Sequence, residues 1–279
     1  MHGVAKSPKN TLLNRLVGVP ILHKAVRLLR VQKVVATALG IRPITRRLKK
    51  TGCEYRVRFL ESMLMADEIF KREIYRAAFD GREIRTFVDI GANVGYFTLY
   101  AAELTGRKDL MALAVDADAK MADEVRWHVS KNGLSGTRVK TGVAGYPPGV
   151  TEATFFVNPS NVASSAQPIL NPDIPMKGES KAVTVPAVDV TAEWKAMAGD
   201  KRIDLLKVDV EGFELDLIRN STELLALTDR LVLEWHKWVT SLDEVDALLG
   251  ARGLTRREVI TEDMHAGVAV YDRQPKVTA

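Results

Sequence analysis

The segment from Thr86 to Leu99 constrains the fold more than any other part of the 279-residue chain. It reads T-F-V-D-I-G-A-N-V-G-Y-F-T-L, a short apolar run followed by a glycine-containing turn and an apolar helical pattern. Gly91 permits a tight turn and the close approach of a ligand to the backbone, and Gly95 permits close packing where the helix begins. A buried strand that leads through such a turn into a helix is typical of a Rossmann-like α/β domain.

Short strands and helices alternate after this segment. Strands are predicted over residues 86–90, 110–115, 138–143, 203–210, 230–234 and 268–272, and helices over 94–104, 119–132, 213–219 and 241–249. Two added strands, at 153–157 and 182–186, flank a Pro-, Asn- and Ser-rich stretch at 158–180 that we expect to form a long loop or lid. This alternation predicts an α/β fold with a doubly wound, mostly parallel sheet.

The first 50 residues carry 12 Lys or Arg and no Asp or Glu, whereas the rest of the chain holds 28 basic and 35 acidic residues. This basic arm has a helical apolar period over 11–39. A helical cap on the main domain, an interfacial helix on an anionic membrane and a targeting presequence are the alternatives for it. We therefore expect a basic helical arm at 1–50, a helical cap or lid at 51–84, and a Rossmann-like domain at 85–279.

The single cysteine, Cys53, excludes a disulfide within the chain. A reducing, cytoplasmic location is expected, with a peripheral position at the membrane if the arm binds lipid. No apolar run approaches the length that spans a bilayer. No cluster of Cys and His has the spacing of a zinc site.

The acid before the glycine turn selects among nucleotide ligands. Asp89 would repel the pyrophosphate that a dinucleotide-binding turn cradles. It suits a ligand with a cationic end such as S-adenosylmethionine, which carries an ammonium and a sulfonium group, and Asn93 adds hydrogen-bonding capacity. Asp116, at the end of the next predicted strand, can take both ribose hydroxyls of a nucleoside. The alternative for Asp116 is a helix N-cap, a role for which Asp118 is equally suited.

Four motifs carry a resemblance to a known family. They are V-D-I-G-A-N-V-G at 88–95, V-D at 188–189, L-L-K-V-D-V-E-G-F-E at 205–214 and L-V-L-E-W-H at 231–236. In their order and spacing the chain resembles, from Ala66 to Val270, the FkbM-type methyltransferases, which are Rossmann-like enzymes that mostly methylate hydroxyl groups of sugars and natural products. The family usually has Glu-Pro where this chain has Asp116-Ala117, so an acid is kept at the ribose position.

The resemblance implies S-adenosylmethionine as cofactor. The predicted cofactor-binding residues are Asp89, Gly91, Ala92, Asn93, Gly95, Tyr96, Phe97 and Asp116. Asp209, Glu211 and His236 are predicted to be catalytic, because they follow the ends of two central strands and would face the acceptor. The alternatives are a Lys207–Asp209 ion pair, helix capping by Glu211 and aromatic packing of His236. A divalent cation on Asp209, Glu211 and Glu234 is a further alternative, but no metal ligand is assigned.

A small-molecule or glycan O-methyltransferase is therefore expected. The loop at 158–180 and the helices of 57–80 would close over the acceptor, with Ser164 and Ser165 in contact with it. The basic arm makes a membrane-held acceptor, such as a lipid-linked glycan, one hypothesis. The rivals are an RNA methyltransferase that uses the arm and a non-catalytic binding subunit. Nucleic acid is not the expected partner, because the arm lacks aromatic residues between its charges for base stacking. A dehydrogenase is disfavoured by Asp89.

Overall fold

The computed structural model describes residues 32–158, 164–167 and 180–275. Most of the predicted arm helix lies outside the described residues. The strands are β1 (Ile44–Arg47), β2 (Glu54–Val57), β3 (Thr86–Ile90), β4 (Met111–Asp116), β5 (Thr137–Thr141), β6 (Glu152–Val157), β7 (Lys181–Pro186), β8 (Leu205–Val208), β9 (Arg230–His236), β10 (Leu254–Glu262) and β11 (Ala266–Arg273). The helices are α1 (Gln32–Ile41), α2 (Ser62–Phe70), α3 (Tyr96–Thr105), α4 (Ala119–Asn132), α5 (Val190–Ala198), α6 (Glu214–Asn220), α7 (Thr222–Leu227) and α8 (Leu242–Gly250), with a short 3₁₀-helix at Arg76–Phe79.

Seven strands form the central sheet in the order β10-β11-β9-β8-β3-β4-β5. β11 is antiparallel to its neighbours β9 and β10, and the other neighbouring pairs are parallel. The predicted α/β fold with a doubly wound, mostly parallel sheet is confirmed. Parallel strands bring their carboxyl ends to one edge of the sheet, and the ends of β3, β4, β8 and β9 meet there.

Helices cover both faces of the sheet. On one face, α5, α6 and α8 pack through fully buried side chains such as Trp194, Leu217 and Leu249. On the other face, α2 and α3 pack through buried side chains such as Ile69 and Phe97. Each fully buried side chain of this size stabilises the fold by about 1.5–3 kcal/mol. These two apolar layers hold the sheet in place, and with it the edge at which the site lies.

A hairpin of β1 and β2 occupies a segment where no strand was predicted. It pairs Ile44 with Val57 and spans the predicted boundary between the arm and the cap. The hairpin is bound to α4, because the amide of Glu54 donates a 2.6 Å hydrogen bond to the side-chain oxygen of Asn132. Residues 44–50 therefore pack with the α/β domain, although they were predicted as part of the arm.

The segment predicted to be helical over 57–80 contains two helical elements, because α2 ends at Phe70 and the 3₁₀-helix begins at Arg76. The edge strand β10 was also not predicted. Of its residues only Leu254 is buried, so its sequence lacks the apolar alternation of a half-buried strand. Within the described ranges, no helix is long and apolar enough to cross a membrane.

Candidate active site

The turn between β3 and α3 is held against two neighbouring strands. The amides of Gly91 and Ala92 donate to the carbonyl of Val115 in β4 over 2.9 and 3.0 Å. Gly91 has a φ of 73°, and a Cβ there would lie 1.7 Å from the carbonyl oxygen of Asp209, which follows β8. Glycine is required at position 91 because two strand ends approach each other so closely there.

Asp116 ends β4, and its carboxylate is fixed from two sides. One oxygen accepts a 2.6 Å hydrogen bond from the amide of Asn93, and the other accepts a 2.8 Å bond from the amide of Asp118. Asp118 is itself the N-cap of α4 and accepts from the amide of Lys120 over 2.8 Å, so the N-cap alternative for Asp116 is wrong. Burial raises the pKa of Asp116 to about 7. Each oxygen keeps a lone pair for a ligand hydroxyl.

A cavity opens beside this turn, and we call it the first cavity. Asn93, Asp116 and Asp209 supply polar groups to its wall, and Val143 and Phe155 supply apolar surface. Apolar walls with a few convergent polar groups are typical of small-molecule and cofactor sites. The first cavity lies outside the carboxyl ends of the strands, where open α/β sheets bind their ligands.

Some residues predicted to contact the cofactor lie elsewhere. In the described part of the chain, the lining of the first cavity does not include Asp89, Ala92, Gly95, Tyr96 and Phe97. Tyr96 and Phe97 face the core, where the Tyr96 hydroxyl donates to the carbonyl of Arg56 over 2.8 Å. Gly95 packs against α4, since a Cβ there would lie 3.2 Å from the Val125 side chain. These residues support the turn from behind and do not form the cavity wall.

Asp89 lies fully buried beneath the turn. Its carboxylate accepts a 3.0 Å hydrogen bond from the Thr98 hydroxyl and lies 3.6 Å from Nζ of Lys207. Lys207 also donates to the carbonyl of Gly91 over 2.6 Å and to the Asp209 carboxylate over 3.3 Å. Burial opposes the charge on Lys207, but Asp209 and Asp89 outweigh it and raise the pKa of Lys207. The Lys207–Asp209 ion pair is confirmed, and Asp89 pairs with Lys207 where a ligand cation was expected.

A second cavity adjoins the first. One wall comes from α2 and the residues after it, and the other from the β10–β11 hairpin. Its lining includes Met65, Glu68, Arg72, Tyr75, Glu234, Thr261, Asp263 and Gly267. Asn93, Asp209 and Glu211 line both cavities. The two cavities therefore meet at these three residues, two of which were predicted to be catalytic.

His236 ends β9 and lies between two carboxylates. Its Nδ1 is 2.7 Å from Oε1 of Glu214, and its Nε2 is 3.2 Å from Oε2 of Glu211. Burial disfavours the imidazolium, but Glu211 and Glu214 outweigh it and raise the pKa of His236 well above its ordinary value. His236 is not part of the lining that the described residues give to either cavity. It was predicted to face the acceptor, whereas the structure places it behind Glu211.

Glu214 is a site residue that the sequence analysis missed. It is fully buried, and its Oε1 also accepts a 2.9 Å hydrogen bond from the amide of Gly212. The available signal was a second acid three residues after Glu211, at the end of the motif at 205–214. Glu211 does not cap the helix as the alternative supposed, since Phe213 is the N-cap of α6. Glu211 has a left-handed φ of 50°, a conformation that costs a non-glycine residue free energy and that clusters at functional sites.

Asp209, Glu234 and His236 offer ligand atoms within 4.8 Å of one another, and they are the set among the described residues that could hold a metal ion. Burial, reinforced by Asp209, raises the pKa of Glu234 well above its ordinary value. Two carboxylates and an imidazole suit a divalent transition metal better than Mg²⁺, which prefers oxygen ligands alone.

The short described part of the predicted lid lies over the first cavity. Ser164 lines that cavity, in agreement with a lid. Ser165, predicted to contact the acceptor, is buried and donates a 2.6 Å hydrogen bond to the carbonyl of Glu211. The side-chain amide of Gln167 donates to Asp216 over 3.0 Å. Ser165 therefore holds Glu211 in place from the side of the lid.

Comparison with known proteins identifies the family. The methyltransferase FkbM domain matches residues 89–257. No curated protein sequence matches the chain significantly. Similar solved structures include TrmK of M. capricolum in complex with S-adenosyl-homocysteine, with 13% identity, 72% of this chain and 68% of that chain covered, and a TM-score of 0.44. TYW2 of M. jannaschii in complex with AdoMet has 15% identity, covers 83% of this chain and 87% of its own, and has a TM-score of 0.44. A SAM dependent methyltransferase from Aquifex aeolicus has 15% identity and a TM-score of 0.44, and the match covers 75% of this chain and 93% of that chain. Since the FkbM domain covers more than half of the chain, the chain belongs to the FkbM family of S-adenosylmethionine-dependent methyltransferases.

Proposed function

We propose that this chain transfers a methyl group from S-adenosylmethionine to a hydroxyl oxygen of a small-molecule or glycan acceptor. The observation that supports this proposal is the position of Asp209, which lines both cavities. A methyl donor in the first cavity and a hydroxyl group in the second would face each other beside its carboxylate. In-line transfer depends on such an alignment of the two reacting groups.

The residues of the first cavity fit the parts of S-adenosylmethionine, which supplies a methyl group on a cationic sulfur. Asp116 would accept hydrogen bonds from the ribose hydroxyls, and Phe155 and Val143 would pack against the adenine. Asn93 would bind polar groups of the cofactor where the two cavities meet. Gly91 keeps the turn close to the end of β8 beside this cavity, since a Cβ there would lie 1.7 Å from the carbonyl oxygen of Asp209.

Asp209 would accept the proton of the acceptor hydroxyl as the oxygen takes the methyl group. One of its carboxylate oxygens is bound by Lys207. The other, Oδ1, is buried and has no hydrogen-bond partner among the described residues. A buried acceptor atom without a partner is costly, and a substrate hydroxyl would satisfy it. Glu211 would contact and orient the same hydroxyl, and His236 would act as a positioning residue by holding Glu211.

Contact between the basic arm at 1–50 and an anionic membrane, and with it a lipid-linked glycan as acceptor, stays a proposal. Residues 1–31 lie outside the described part of the chain. The test is binding of the full chain to phosphatidylcholine vesicles with and without phosphatidylserine. Binding that requires phosphatidylserine would support the proposal, and equal binding or none would reject it.

The test of O-methylation uses S-adenosylmethionine with a ¹³C-labelled methyl group and a panel of sugars, glycans and RNA. NMR of the product distinguishes methyl groups on oxygen from those on nitrogen or carbon. We expect an O-methyl product, and Asp209→Asn should lower turnover by about 100-fold or more, because a general base is lost. Asp243→Asn, an exposed change on α8, is the matched control. Methylation of RNA, or of nitrogen alone, would contradict the proposal.

A further inference from the structure

The second cavity has an excess of negative charge. Its lining contains five carboxylates and one guanidinium, those of Glu68, Asp209, Glu211, Glu234, Asp263 and Arg72. Lys207 and His236 compensate Asp209 and Glu211 from behind. Arg72 lies 3.6 Å from Glu68 with 59% of its side chain exposed, so solvent weakens its effect. Three carboxylates remain, those of Glu68, Glu234 and Asp263. Burial and Asp209 raise the pKa of Glu234 well above its ordinary value, which disfavours its charge. The excess therefore falls on the two walls, at Glu68 in α2 and at Asp263 in the β10–β11 turn.

The charge on Asp263 is fixed by the backbone. The amides of Ala266 and His265 donate to its carboxylate over 2.9 and 2.7 Å and lower its pKa. Burial raises the pKa of Glu68, against the effect of Arg72, and Asp263 is among the carboxylates that raise it further. A positive charge between these two walls would be attracted by both carboxylates, whereas an anionic acceptor would be repelled.

Tyr75 is a second, independent sign of a ligand in this cavity. Its side chain is only 4% exposed, lines the second cavity and packs edge-on against Phe97. Its hydroxyl has no hydrogen-bond partner among the described residues. Burial, reinforced by Glu234 and Asp209, raises the pKa of Tyr75 well above its ordinary value, so the hydroxyl keeps its proton. Because the side chain lines the second cavity, a ligand there would supply a hydrogen-bond partner for this hydroxyl.

We infer that the acceptor is an amino alcohol, such as an amino sugar, whose protonated amine lies between Glu68 and Asp263 and whose polar groups hydrogen-bond to Tyr75. This inference rests on the proposed function, because it places the hydroxyl that receives the methyl group beside Asp209. The amine would replace a neutral substituent at a position of the acceptor other than that of the hydroxyl that receives the methyl group. Charge-assisted hydrogen bonds of this kind are stronger than neutral ones.

The test measures binding of methyl glucosides to the full chain saturated with S-adenosylhomocysteine, by calorimetry. The probes are methyl glucoside, the derivatives in which one hydroxyl at a time is replaced by an amine, and methyl glucuronide. We expect at least one amino derivative to bind about tenfold or more tightly than methyl glucoside. The glucuronide should bind more weakly than methyl glucoside. If no amino derivative binds more tightly than methyl glucoside, the inference is wrong.

Three variants test which residues cause the preference for the amine. Glu68→Gln should lower the preference for the amine to less than about threefold, because one of two carboxylates is lost. Asp67→Asn is the matched control in the same helix, since Asp67 pairs with Lys71 and is not part of the cavity lining. Tyr75→Phe should weaken all the glucosides and leave thermal stability unchanged, because its hydroxyl gives up no internal hydrogen bond. A preference that survives Glu68→Gln unchanged would overturn the inference.

The failure of this inference is distinguishable from the failure of the proposed function. If S-adenosylhomocysteine does not bind, both are wrong. If it binds and the amino derivatives show no advantage, only the inference is wrong. Titration with Mn²⁺ gives a further outcome, because stoichiometric Mn²⁺ binding without amine binding would mean that these carboxylates serve a metal ion.

Discussion

The ammonium of Lys207 donates a 2.6 Å hydrogen bond to the carbonyl oxygen of Gly91. This contact ties β8 to the turn that follows β3. The same ammonium lies 3.6 Å from Asp89 and 3.3 Å from Asp209. One buried cation therefore compensates two carboxylates and fixes both the cofactor turn and the proposed base.

Replacing Lys207 with methionine keeps the length of the side chain and removes its charge. Asp89 and Asp209 would then lack their cation, so we expect the free energy of unfolding to fall by about 3–5 kcal/mol. Adding Asp89→Asn removes one uncompensated carboxylate and should recover part of the loss. Urea unfolding measures both variants, and a loss below about 1 kcal/mol for the single variant would contradict this role of Lys207.

Substitutions at Gly91 and Gly133 distinguish the cost of backbone strain from the cost of steric exclusion. Both have left-handed φ values, 73° and 65°, but space is open around Gly133 and is blocked by Asp209 at Gly91. Gly133→Ala should cost about 1 kcal/mol from backbone strain alone. Gly91→Ala must displace the strand end, so we expect a larger loss of stability and no detectable binding of S-adenosylhomocysteine. Equal effects of the two variants in thermal unfolding and calorimetry would refute the steric argument.

The affinity for S-adenosylhomocysteine should depend on the protonation of Asp116. Its pKa is raised to about 7 by burial, and the carboxylate must be ionised to accept from two ribose hydroxyls. Affinity should therefore be full above that pH and fall by up to about tenfold for each pH unit below it. Asp116→Asn should bind more weakly and lose this dependence, whereas Asp189→Asn, at the N-cap of α5, should behave like the wild type. Calorimetry between pH 5.5 and about 8.5 covers the transition. A wild-type affinity that is independent of pH would count against ribose binding by Asp116.

Glu214→Gln tests the positioning role of His236. The substitution keeps the size of the side chain and removes the charge that binds Nδ1. We expect kcat to fall by about tenfold to 100-fold, the value of a hydrogen bond to a charged group. The acceptor KM and the affinity for S-adenosylhomocysteine should be unchanged. Steady-state methyl transfer checks this split, and Glu223→Gln, on the exposed surface of α7, is the control. A rise in KM with unchanged kcat would assign Glu214 to binding.

His128 should make the fold sensitive to acid. Its Nε2 accepts from the amide of Arg56 over 3.0 Å, and its Nδ1 lies 2.8 Å from the carbonyl of Val94. Burial lowers the pKa of His128 to about 4. The unfolded chain takes up this proton near pH 6.5 and the folded chain does not, so stability is full above about pH 6.5 and falls as the pH approaches 4.

A His128→Gln variant should be less stable than the wild type at neutral pH, because hydrogen bonds of the ring are lost. Its disadvantage should shrink by about 2 kcal/mol between pH 7 and 5. Urea unfolding at both pH values gives the comparison. Parallel stability curves for the two proteins would exclude His128 as the titrating group.

The sequence predicted the elements whose chemistry is local. The strand, glycine turn and helix at 86–99 were predictable from the sequence, because the steric and burial requirements that form them act on residues close together in the chain. β10 and the β1–β2 hairpin were not predicted, because β10 is mostly exposed and the hairpin is rich in charge. Such strands form through hydrogen bonds to a partner strand, and a single segment carries little trace of its partner.

The same distinction applies to the site. Asp209 and Glu211 were predicted because they directly follow a central strand. Tyr75 was not singled out as a site residue, because it reaches the second cavity from a separate helical segment. Phe97 was predicted to bind the cofactor because it follows the glycine turn, yet the helical period turns it toward the core. Proximity in the chain located the turn correctly but could not give the direction of each side chain.

The most direct test of the account is a crystal structure of the full chain with S-adenosylhomocysteine. The quantity to measure is the distance from the cofactor sulfur to the Asp209 carboxylate. We predict that the ribose hydroxyls bind Asp116 and that the sulfur lies at the junction of the two cavities, facing Asp209. A cofactor bound away from Asp116, or with its sulfur turned away from Asp209, would contradict the proposed transfer.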